Sequence, residues 1–283
     1  MPALLLSGRP VADAVLESLK ADVTKLDPKL VVVQVGNDPA SDSYIKQKLK
    51  SCEAVSMRHE HKHLSDTTTL PELMQLIDEL NNDADVTGFI IQLPLPKQLQ
   101  PHVPKIIRAI DPKKDVDGFG AYNLGKMFLS TEFEHLPPAT PAGVITLLEY
   151  YKISVEGKHV VVVGHGTVGK PLAVMLLNRN ATVTVCHKFT KDLGSFTRQA
   201  DILCSAVGMA KLITKDMVKP GAVVIDIGVS RVDGKLCGDV DFDAVSEIAS
   251  AMTPVPGGVG PLTVASLIRN CITAKKRQLY SGS

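Results

Sequence analysis

The chain has 283 residues, of which 45% are hydrophobic and 22% are charged, and its formal net charge is +1. This length suffices for two domains with their own cores, and the balanced charge excludes disorder and the basic surface of a nucleic-acid-binding protein. No apolar run approaches the roughly 18 residues that a membrane span needs, and the N-terminus is not predicted to be a signal peptide. The five cysteines are scattered, which is typical of a reducing, cytoplasmic compartment.

The first half of the chain alternates predicted helices and strands, which is typical of an α/β domain with a parallel sheet. Helices are predicted over 11–26, 44–52, 70–80 and 103–109, with Ser41 or Asp42 as the N-cap of the second. Strands are predicted over 30–36, 59–64 and 88–93. The segment 111–141 is rich in proline, glycine and aspartate, which favours irregular connections.

Three histidines, His59, His61 and His63, alternate along the strand 59–64 and therefore share a face. A solvated strand face is favoured over a metal site, because no carboxylate or cysteine stands at ligand spacing. No metal is expected.

One lysine of the helix 44–52 lies on its apolar side. At about 100° per residue, an apolar arc is formed by Ile45, Leu49, Cys52 and Val55. Lys48 falls inside this arc, one turn from Tyr44, whereas Lys46 and Lys50 fall on the opposite side. A lysine over a core face loses hydration, so its neutral form becomes accessible near neutral pH. Lys48 is therefore either a general base or a lysine whose stem packs while its ammonium group reaches water.

Gln92, Asp115 and Asp117 are further polar candidates in the first half. Gln92 stands at the end of the strand 88–93, where sheets bind ligands, and an uncharged amide can orient a lysine without holding it protonated. Asp115 and Asp117 place two carboxylates on one turn. Either can cap that turn, and Asp117 can alternatively accept hydrogen bonds from a flat, nitrogen-rich heterocycle.

The second half repeats the α/β alternation, with a boundary near residue 140. Strands are predicted over 159–163, 181–186, 201–207 and 222–228. Helices are predicted over 140–151, 172–177, 192–197, near 214, and over 243–250 and 262–279. The segment 254–261 contains three prolines and three glycines. It is predicted to be a rigid loop, and its glycine content favours close approach to a ligand over a simple linker.

The strand 159–163 leads into Gly164, Gly166 and Gly169, which match G-x-G-x-x-G before a helix. Such a turn places backbone N–H groups and a helix N-terminus beside a pyrophosphate. The alternative is a plain strand–turn–helix connection. The next strand ends in His187 and Lys188, and no acidic residue occurs between 181 and 191. A cation there favours the 2′-phosphate of NADP over the ribose hydroxyl of NAD.

Several segments together resemble the bifunctional methylenetetrahydrofolate dehydrogenase/methenyltetrahydrofolate cyclohydrolase family. The matching segments are 35–41, 44–48, 92–96, 114–119, 140–141, 220–226, 238–240 and 254–261, the last of which reads PVPGGVGP. The resemblance implies two α/β domains with parallel sheets and an active site in the cleft between them. It implies a substrate domain over 1–139 joined by the C-terminal helix 262–283, and a Rossmann-like NADP domain over 140–261.

The same resemblance implies a function and a set of site residues. The expected reactions are NADP-dependent oxidation of methylenetetrahydrofolate and hydrolysis of the methenyl product, in the one-carbon metabolism that feeds purine biosynthesis, by a homodimer without nucleic-acid or membrane partners. The implied catalytic and substrate-binding residues are Lys48, Tyr44, Gln92, Asp117, Leu93, Pro256, Gly257 and Gly258. The implied NADP-binding residues are Gly164, His165, Gly166, Thr167, Val168, Gly169, His187, Lys188, Val207, Gly208, Gly228 and Val229.

The glycine turn departs from the family pattern, which usually reads G-x-S-x-x-V-G-x-P. Here the turn is one residue shorter and Gly166 stands in place of the serine, which leaves the strength of NADP binding open. Three alternative functions also stay open. They are an enzyme with only one of the two activities, a related two-domain NADP enzyme acting on a small hydroxy acid or amino acid, and a catalytically silent nucleotide-sensing subunit.

Overall fold

The computed structural model describes residues 3–280, which divide into two compact units. Unit 1 contains the chain up to Asp13, Met127–Thr131 and Ala139–Thr263. Unit 2 contains Ala14–Lys126, Glu132–Pro138 and the chain from Val264 onward. The predicted domains put the N-terminal residues in the substrate domain, whereas here they group with unit 1, because Leu4 and Leu5 pair with its sheet. The limits of the functional domains stay a prediction.

The elements follow one another in α/β alternation. The strands are β1 (Leu4–Leu5), β2 (Lys29–Val35), β3 (Arg58–Leu64), β4 (Gly88–Ile91), β5 (His159–Val163), β6 (Thr182–Cys186), β7 (Ile202–Ser205), β8 (Val223–Asp226), β9 (Ser230–Val232), β10 (Lys235–Cys237) and β11 (Ala251–Met252). The helices are α1 (Gly8–Leu26), α2 (Pro39–Ala54), α3 (Leu70–Asn82), α4 (Val103–Arg108), α5 (Ala121–Met127), α6 (Ala139–Tyr150), α7 (Gly169–Leu177), α8 (Leu193–Thr197), α9 (Phe242–Ser246) and α10 (Val259–Tyr280).

Unit 1 is built on a six-stranded sheet in the order β1-β11-β8-β7-β5-β6, in which every neighbouring pair is parallel. The four-valine run of β5 is buried, because helices cover both faces of such a sheet. Val163 pairs with Cys186 and Ser205, and Ser205 pairs with Asp226. The carboxyl ends of β5, β6, β7 and β8 therefore lie along one edge of the sheet.

Unit 2 contains a three-stranded parallel sheet in the order β3-β2-β4. Its central strand β2 is buried from Leu30 to Val35, as expected of a strand covered on both faces. Val33 pairs with Ile91. The chain passes from β2 to β3 on one side and then crosses to β4 on the other. Parallel sheets bind ligands at such a reversal of strand order, beyond the carboxyl ends.

The edge strand β3 carries the three histidines, and their rings make polar contacts. Nε2 of His61 lies 2.9 Å from Oε1 of Gln34, and Nε2 of His63 lies 2.9 Å from the carbonyl oxygen of Gly36. His61 and His63 are exposed, and their rings stack at 5.6 Å. Across residues 3–280, no group of three or more His, Cys, Asp or Glu side chains has a metal-binding arrangement.

Several sequence-based predictions of local structure were wrong. The N-cap of α2 is Asp38 rather than Ser41 or Asp42, because its carboxylate accepts a hydrogen bond from Ser41 N and Pro39 opens the helix. Helix α5 interrupts the segment predicted to be irregular. Helix α10 begins at Val259, inside the predicted loop 254–261. The helix predicted near 214 is a short 3₁₀ turn, Lys215–Met217. No helix within the described range is both long enough and apolar enough to cross a bilayer.

Candidate active site

The side chains of Lys48 and Gln92 meet in unit 2. Helix α2 buries Ile45 and Cys52, and Val55 directly after the helix is also buried. The same helix leaves Lys46 and Lys50 exposed and holds Lys48 half-buried. The Nζ atom of Lys48 donates a hydrogen bond of 2.8 Å to Oε1 of Gln92. Gln92 follows β4 directly, and its backbone N–H bonds to Val33 O. The predicted position of Lys48 in the apolar arc is confirmed.

Burial of Lys48 changes its ionisation. Loss of hydration lowers the pKa of Lys48 below 10.5, and the charge of Asp117 opposes this shift. Burial likewise raises the pKa of Asp117, while the charge of Lys48 opposes that rise and Asp115 adds to it. Gln92 carries no charge, so it orients the amine of Lys48 and stabilises its protonated form less than a carboxylate would. The site therefore holds a lysine whose neutral form is accessible to proton transfer.

The two carboxylates of the turn 115–118 have different surroundings. Asp115 is 1% exposed. Its carboxylate accepts hydrogen bonds from Gly118 N at 3.0 Å, Gly120 N at 2.7 Å and Asn123 Nδ2 at 2.9 Å. Asp117 is half-buried, and its carboxylate accepts no hydrogen bond from the residues that the structure describes. Asp115 therefore holds the turn, and Asp117 has acceptor capacity left for a ligand.

Two largely apolar side chains next to Lys48 and Gln92 in the fold remain open to solvent. Tyr44, one turn before Lys48 on α2, is 42% exposed, and Leu93, next to Gln92, is 40% exposed. The carbonyl oxygen of Leu93 accepts a hydrogen bond of 2.7 Å from Nε2 of Gln92. That bond fixes the amide so that its oxygen faces Lys48. In unit 2, Tyr44 therefore lies on the same helix as Lys48, and Gln92 and Leu93 lie directly after β4.

In unit 1, the glycine turn leads from β5 into α7. Gly164 has a φ of +110°, and a Cβ there would lie 2.5 Å from Ala206 O. A Cβ on Gly169 would lie 1.8 Å from Gly164 O, so only glycine allows the helix to start this close to the turn. A Cβ on Gly166 would meet nothing within 4 Å. The first and third glycines are thus required by packing, whereas the second leaves open space.

The exposed backbone of this turn fits a phosphate. His165, Gly166 and Thr167 are exposed. Within the described chain, the N–H groups from His165 to Gly169 have no hydrogen-bond acceptor. Val168, the N-cap residue of α7, provides no side-chain cap. A row of free donors at a helix N-terminus binds anions, so this chain's own residues are suited to a dinucleotide pyrophosphate.

The end of β6 presents cationic and aromatic groups beside the glycine turn. The rings of His165 and His187 lie edge-on at 4.8 Å between centroids. Lys188 is exposed, and its Nζ lies 5.0 Å from the ring centroid of Phe189, which is 76% exposed. We did not predict a role for Phe189 from the sequence, although an aromatic residue directly after the predicted phosphate-binding lysine is a signal for one.

The turns after β7 and β8 place four further predicted cofactor residues at the same edge of the sheet. Ala206 N bonds to Val163 O, which ties the turn after β7 to β5. Val207 and Gly208 are exposed on this turn, and Gly228 and Val229 follow β8. The buried carboxylate of Asp239 accepts hydrogen bonds from the turn after β7 and lies against Gly228 after β8. The sequence suggested Asp239 only as part of the segment 238–240.

The loop after β11 holds Pro256, Gly257 and Gly258. Pro256 is exposed, whereas Gly258 is buried, and a Cβ on Gly258 would lie 2.5 Å from Pro254 O. The carbonyl oxygen of Gly257 accepts a hydrogen bond of 2.8 Å from Gly8 N. Gly258 is therefore needed for packing of this loop, and Gly257 is favoured by its φ of +103°. Their contact with substrate stays a prediction.

Two family models match the chain. The catalytic-domain model of tetrahydrofolate dehydrogenase/cyclohydrolase matches residues 6–117, and the NAD(P)-binding-domain model matches residues 138–279. The chain belongs to the tetrahydrofolate dehydrogenase/cyclohydrolase family. A curated relative from Exiguobacterium sibiricum, named bifunctional protein FolD, is 49% identical over 280 residues, which cover 97% of this chain and 100% of the relative.

Solved structures of the family superpose on the whole chain. The bifunctional methylenetetrahydrofolate dehydrogenase/cyclohydrolase of Campylobacter jejuni is 42% identical, with a TM-score of 0.92 over 98% of this chain and 99% of that one. The Trypanosoma brucei enzyme, solved with NADP and an inhibitor, is 33% identical, with a TM-score of 0.93 and 99% coverage of both chains. The predicted family and the predicted fold of two parallel α/β domains are thus confirmed.

Proposed function

We propose that this chain catalyses two successive reactions with the residues described above. It is a bifunctional enzyme that oxidises methylenetetrahydrofolate with NADP and hydrolyses methenyltetrahydrofolate to formyltetrahydrofolate. The observation that carries the assignment of roles is the 2.8 Å hydrogen bond between Lys48 Nζ and Gln92 Oε1 at the carboxyl end of β4. A lysine with an uncharged partner and a lowered pKa is suited to exchange protons, because its neutral form is more accessible than that of an exposed lysine.

In the first reaction, the chain positions the methylene carbon for loss of a hydride. NADP, when bound, accepts that hydride, and the folate is left as a delocalised methenyl cation. Asp117 anchors the folate by accepting hydrogen bonds from the nitrogen-rich pterin ring, since its carboxylate has no hydrogen bond from the described residues. Tyr44 packs on the folate from α2, and Leu93 and the loop Pro256, Gly257 and Gly258 bound the substrate.

In the second reaction, water adds to the methenyl carbon. One C–N bond then breaks, so that the formyl group stays on one nitrogen, and a proton is released overall. This sequence requires removal of a proton from water and delivery of a proton to the leaving nitrogen. Lys48 performs both transfers, because its amine form takes the proton and its ammonium form returns it. Gln92 keeps the amine oriented throughout.

NADP binds at the carboxyl edge of the unit 1 sheet. Gly164, His165, Gly166, Thr167, Val168 and Gly169 hold the pyrophosphate through backbone N–H groups. His187 and Lys188 contact the 2′-phosphate. Val207, Gly208, Gly228 and Val229 line the remainder of the cofactor. The support for this assignment is the common edge formed by the ends of four parallel strands.

A single spectroscopic experiment tests the pair of activities. The protein is mixed with methylenetetrahydrofolate and NADP, and the absorbance of NADPH and of the methenyl compound is followed. A separate assay starts from the methenyl compound without NADP. Both signals are expected from one preparation. NADPH formation without hydrolysis, or the reverse, would identify an enzyme with a single activity. The absence of both signals would favour a nucleotide-sensing subunit.

We also propose that the enzyme is a cytoplasmic homodimer that serves purine biosynthesis. The cytoplasmic assignment is supported by five free cysteines. The dimer is supported by the β9–β10 hairpin, which exposes an apolar side chain on each of its two faces, Val232 at 47% and Leu236 at 39%, because exposed hairpin strands and apolar side chains favour association. Light scattering of the parent and of Val232→Asp tests this, and an unchanged mass would remove the hairpin from the interface.

A further inference from the structure

Asp239 is a buried carboxylate to which the proposed reactions assign no task. It follows β10 and is 0% exposed. Its Oδ2 atom accepts hydrogen bonds from Ser205 Oγ at 2.8 Å and from Val207 N at 2.7 Å. Its Oδ1 atom accepts one from Met209 N at 2.8 Å. Hydrogen bonds to an ionised oxygen are among the stronger ones in proteins, so this side chain determines the shape of the turn 206–209.

Two of these three hydrogen bonds come from backbone N–H groups of the turn 206–209. The N–H groups of Val207 and Met209 are both engaged by the carboxylate. Gly208 lies between them with a φ of +75°, and its N–H has no acceptor within the described residues. The side chains of Val207 and Met209 are exposed, at 43% and 56%. The turn therefore offers one free N–H, flanked by two apolar side chains.

The carboxylate itself has little freedom to move. The backbone N–H of Asp239 donates a hydrogen bond of 3.0 Å to Asp226 Oδ1, which ties residue 239 to the end of β8. A Cβ placed on Gly228 would lie 2.0 Å from the Asp239 carboxylate, so the side chain fits directly against that glycine. A longer or a differently directed side chain at position 239 would disturb the turns after β7 and β8 together.

We propose that Asp239 is a positioning residue for NADP, which fixes the turn 206–209 so that the Gly208 N–H donates to the bound cofactor. This inference rests on the proposed placement of NADP at Val207, Gly208 and Gly228. Holding a donor in its binding conformation before the ligand arrives removes part of the entropy cost of binding. Asp239 contributes no contact of its own and acts through the backbone of the turn.

The test compares NADP affinity, measured by calorimetry, in the parent and in the variants Asp239→Asn and Asp239→Ala. Alanine removes both acceptor oxygens and with them all three hydrogen bonds, and we expect NADP affinity to fall by about tenfold or more. Asparagine keeps the shape and one acceptor oxygen, so a smaller loss is expected. The matched control is Asp201→Ala. In the parent, the Asp201 carboxylate accepts a hydrogen bond of 3.0 Å from His159 N, next to the amino end of β7 and opposite the proposed NADP site. This variant should leave NADP affinity unchanged.

The hydrolysis of methenyltetrahydrofolate supplies an internal reference, because it consumes no NADP. A positioning role predicts that kcat/KM for hydrolysis changes by less than twofold while the KM for NADP rises. Equal losses in hydrolysis and NADP affinity would show that Asp239 only supports the fold, and parent-like NADP affinity in Asp239→Ala would overturn the proposal. If the alanine variant does not fold, the isosteric Asp239→Asn decides by the same criterion. A parent enzyme without either activity would instead refute the proposed function, since NADP calorimetry requires no turnover.

Discussion

Lys48 Nζ and Gln92 Oε1 lie 2.8 Å apart, and Gln92 Nε2 bonds in turn to the carbonyl oxygen of Leu93. The chain thus turns the amide oxygen of Gln92 toward the lysine by fixing the other end of the same amide. A carboxylate in this place would hold Lys48 protonated. An amide in this place therefore leaves both protonation states of Lys48 accessible, as the proposed proton transfers require.

Replacement of Lys48 by methionine is expected to abolish the hydrolytic reaction without loss of the fold. Methionine retains the apolar stem but has no group that transfers protons, and loss of a general acid–base costs about 10²–10⁴-fold. The rate of methenyl hydrolysis and the melting temperature are measured on the same preparation. The matched control is Lys46→Met, an exposed lysine of the same helix. Near-parental hydrolysis by Lys48→Met would show that another group is the base.

Replacement of Gln92 by glutamate is expected to move the pH profile of hydrolysis. Burial lowers the pKa of Lys48, so its neutral fraction grows as pH rises through that lowered value. A carboxylate at Gln92 stabilises the ammonium form and raises the pKa of Lys48. The rising limb of kcat/KM should therefore shift to higher pH in Gln92→Glu. Gln92→Met, which adds no charge, should reduce the rate without such a shift. If the pH profile of Gln92→Glu matched that of the parent, the rising limb would not report the ionisation of Lys48.

Asp117→Ala is expected to weaken folate binding much more than NADP binding. The variant removes acceptors that the pterin would use, and a hydrogen bond to a charged group contributes roughly 1.5–3 kcal/mol. Calorimetry with both ligands measures the difference. Asp115→Ala is the contrasting variant, because Asp115 holds three donors of its own turn and its loss should lower the melting temperature. Equal losses of both ligands in Asp117→Ala would indicate a structural role.

Lys188→Ala is expected to narrow the preference for NADP over NAD without inverting it. Lys188 is exposed and already lies over the Phe189 ring, and an exposed charge pair changes affinity by no more than about fivefold. The ratio of kcat/KM values for the two cofactors is compared with that of Lys191→Ala, another exposed lysine nearby. Better turnover of NAD than NADP by the parent enzyme would contradict the assignment of Lys188.

Local patterns in the sequence were sufficient for the features that depend on local periodicity. The apolar arc of α2 places Lys48 correctly, because helical geometry alone sets which side chains share a face. The valine run of β5 and the glycine turn after it likewise form a buried strand and a helix start. The fold class follows from the same alternation of strands and helices.

Features that join distant parts of the chain could not be predicted in this way. Strand β1 has two residues, and it exists only because Leu4 and Leu5 pair with residues 251–252. Asp239 bonds to Val207 N across 32 positions, and no local pattern indicates that contact. The N-cap of α2 was misplaced for a related reason, since Asp38, Ser41 and Asp42 are all good capping residues and only the backbone decides among them.

Gly166 replaces a serine in a turn that is one residue shorter than the usual family pattern. We expect the parent to bind NADP through backbone N–H groups, but more weakly than relatives with the serine, because the hydroxyl is missing. Gly166→Ser should bind at least as well as the parent. Gly166→Val should lose NADP binding, because its branched side chain occupies the space where the pyrophosphate approaches.

The structure makes this test specific for ligand binding. A Cβ on Gly166 meets nothing within 4 Å, so Gly166→Val should keep the parental melting temperature and the parental rate of methenyl hydrolysis. Gly169→Ala, whose Cβ would lie 1.8 Å from Gly164 O, should instead destabilise unit 1. NADP affinity and thermal stability of the three Gly166 proteins and Gly169→Ala separate the two effects. Parental NADP affinity in a stable Gly166→Val would mean that the cofactor does not rest on this turn.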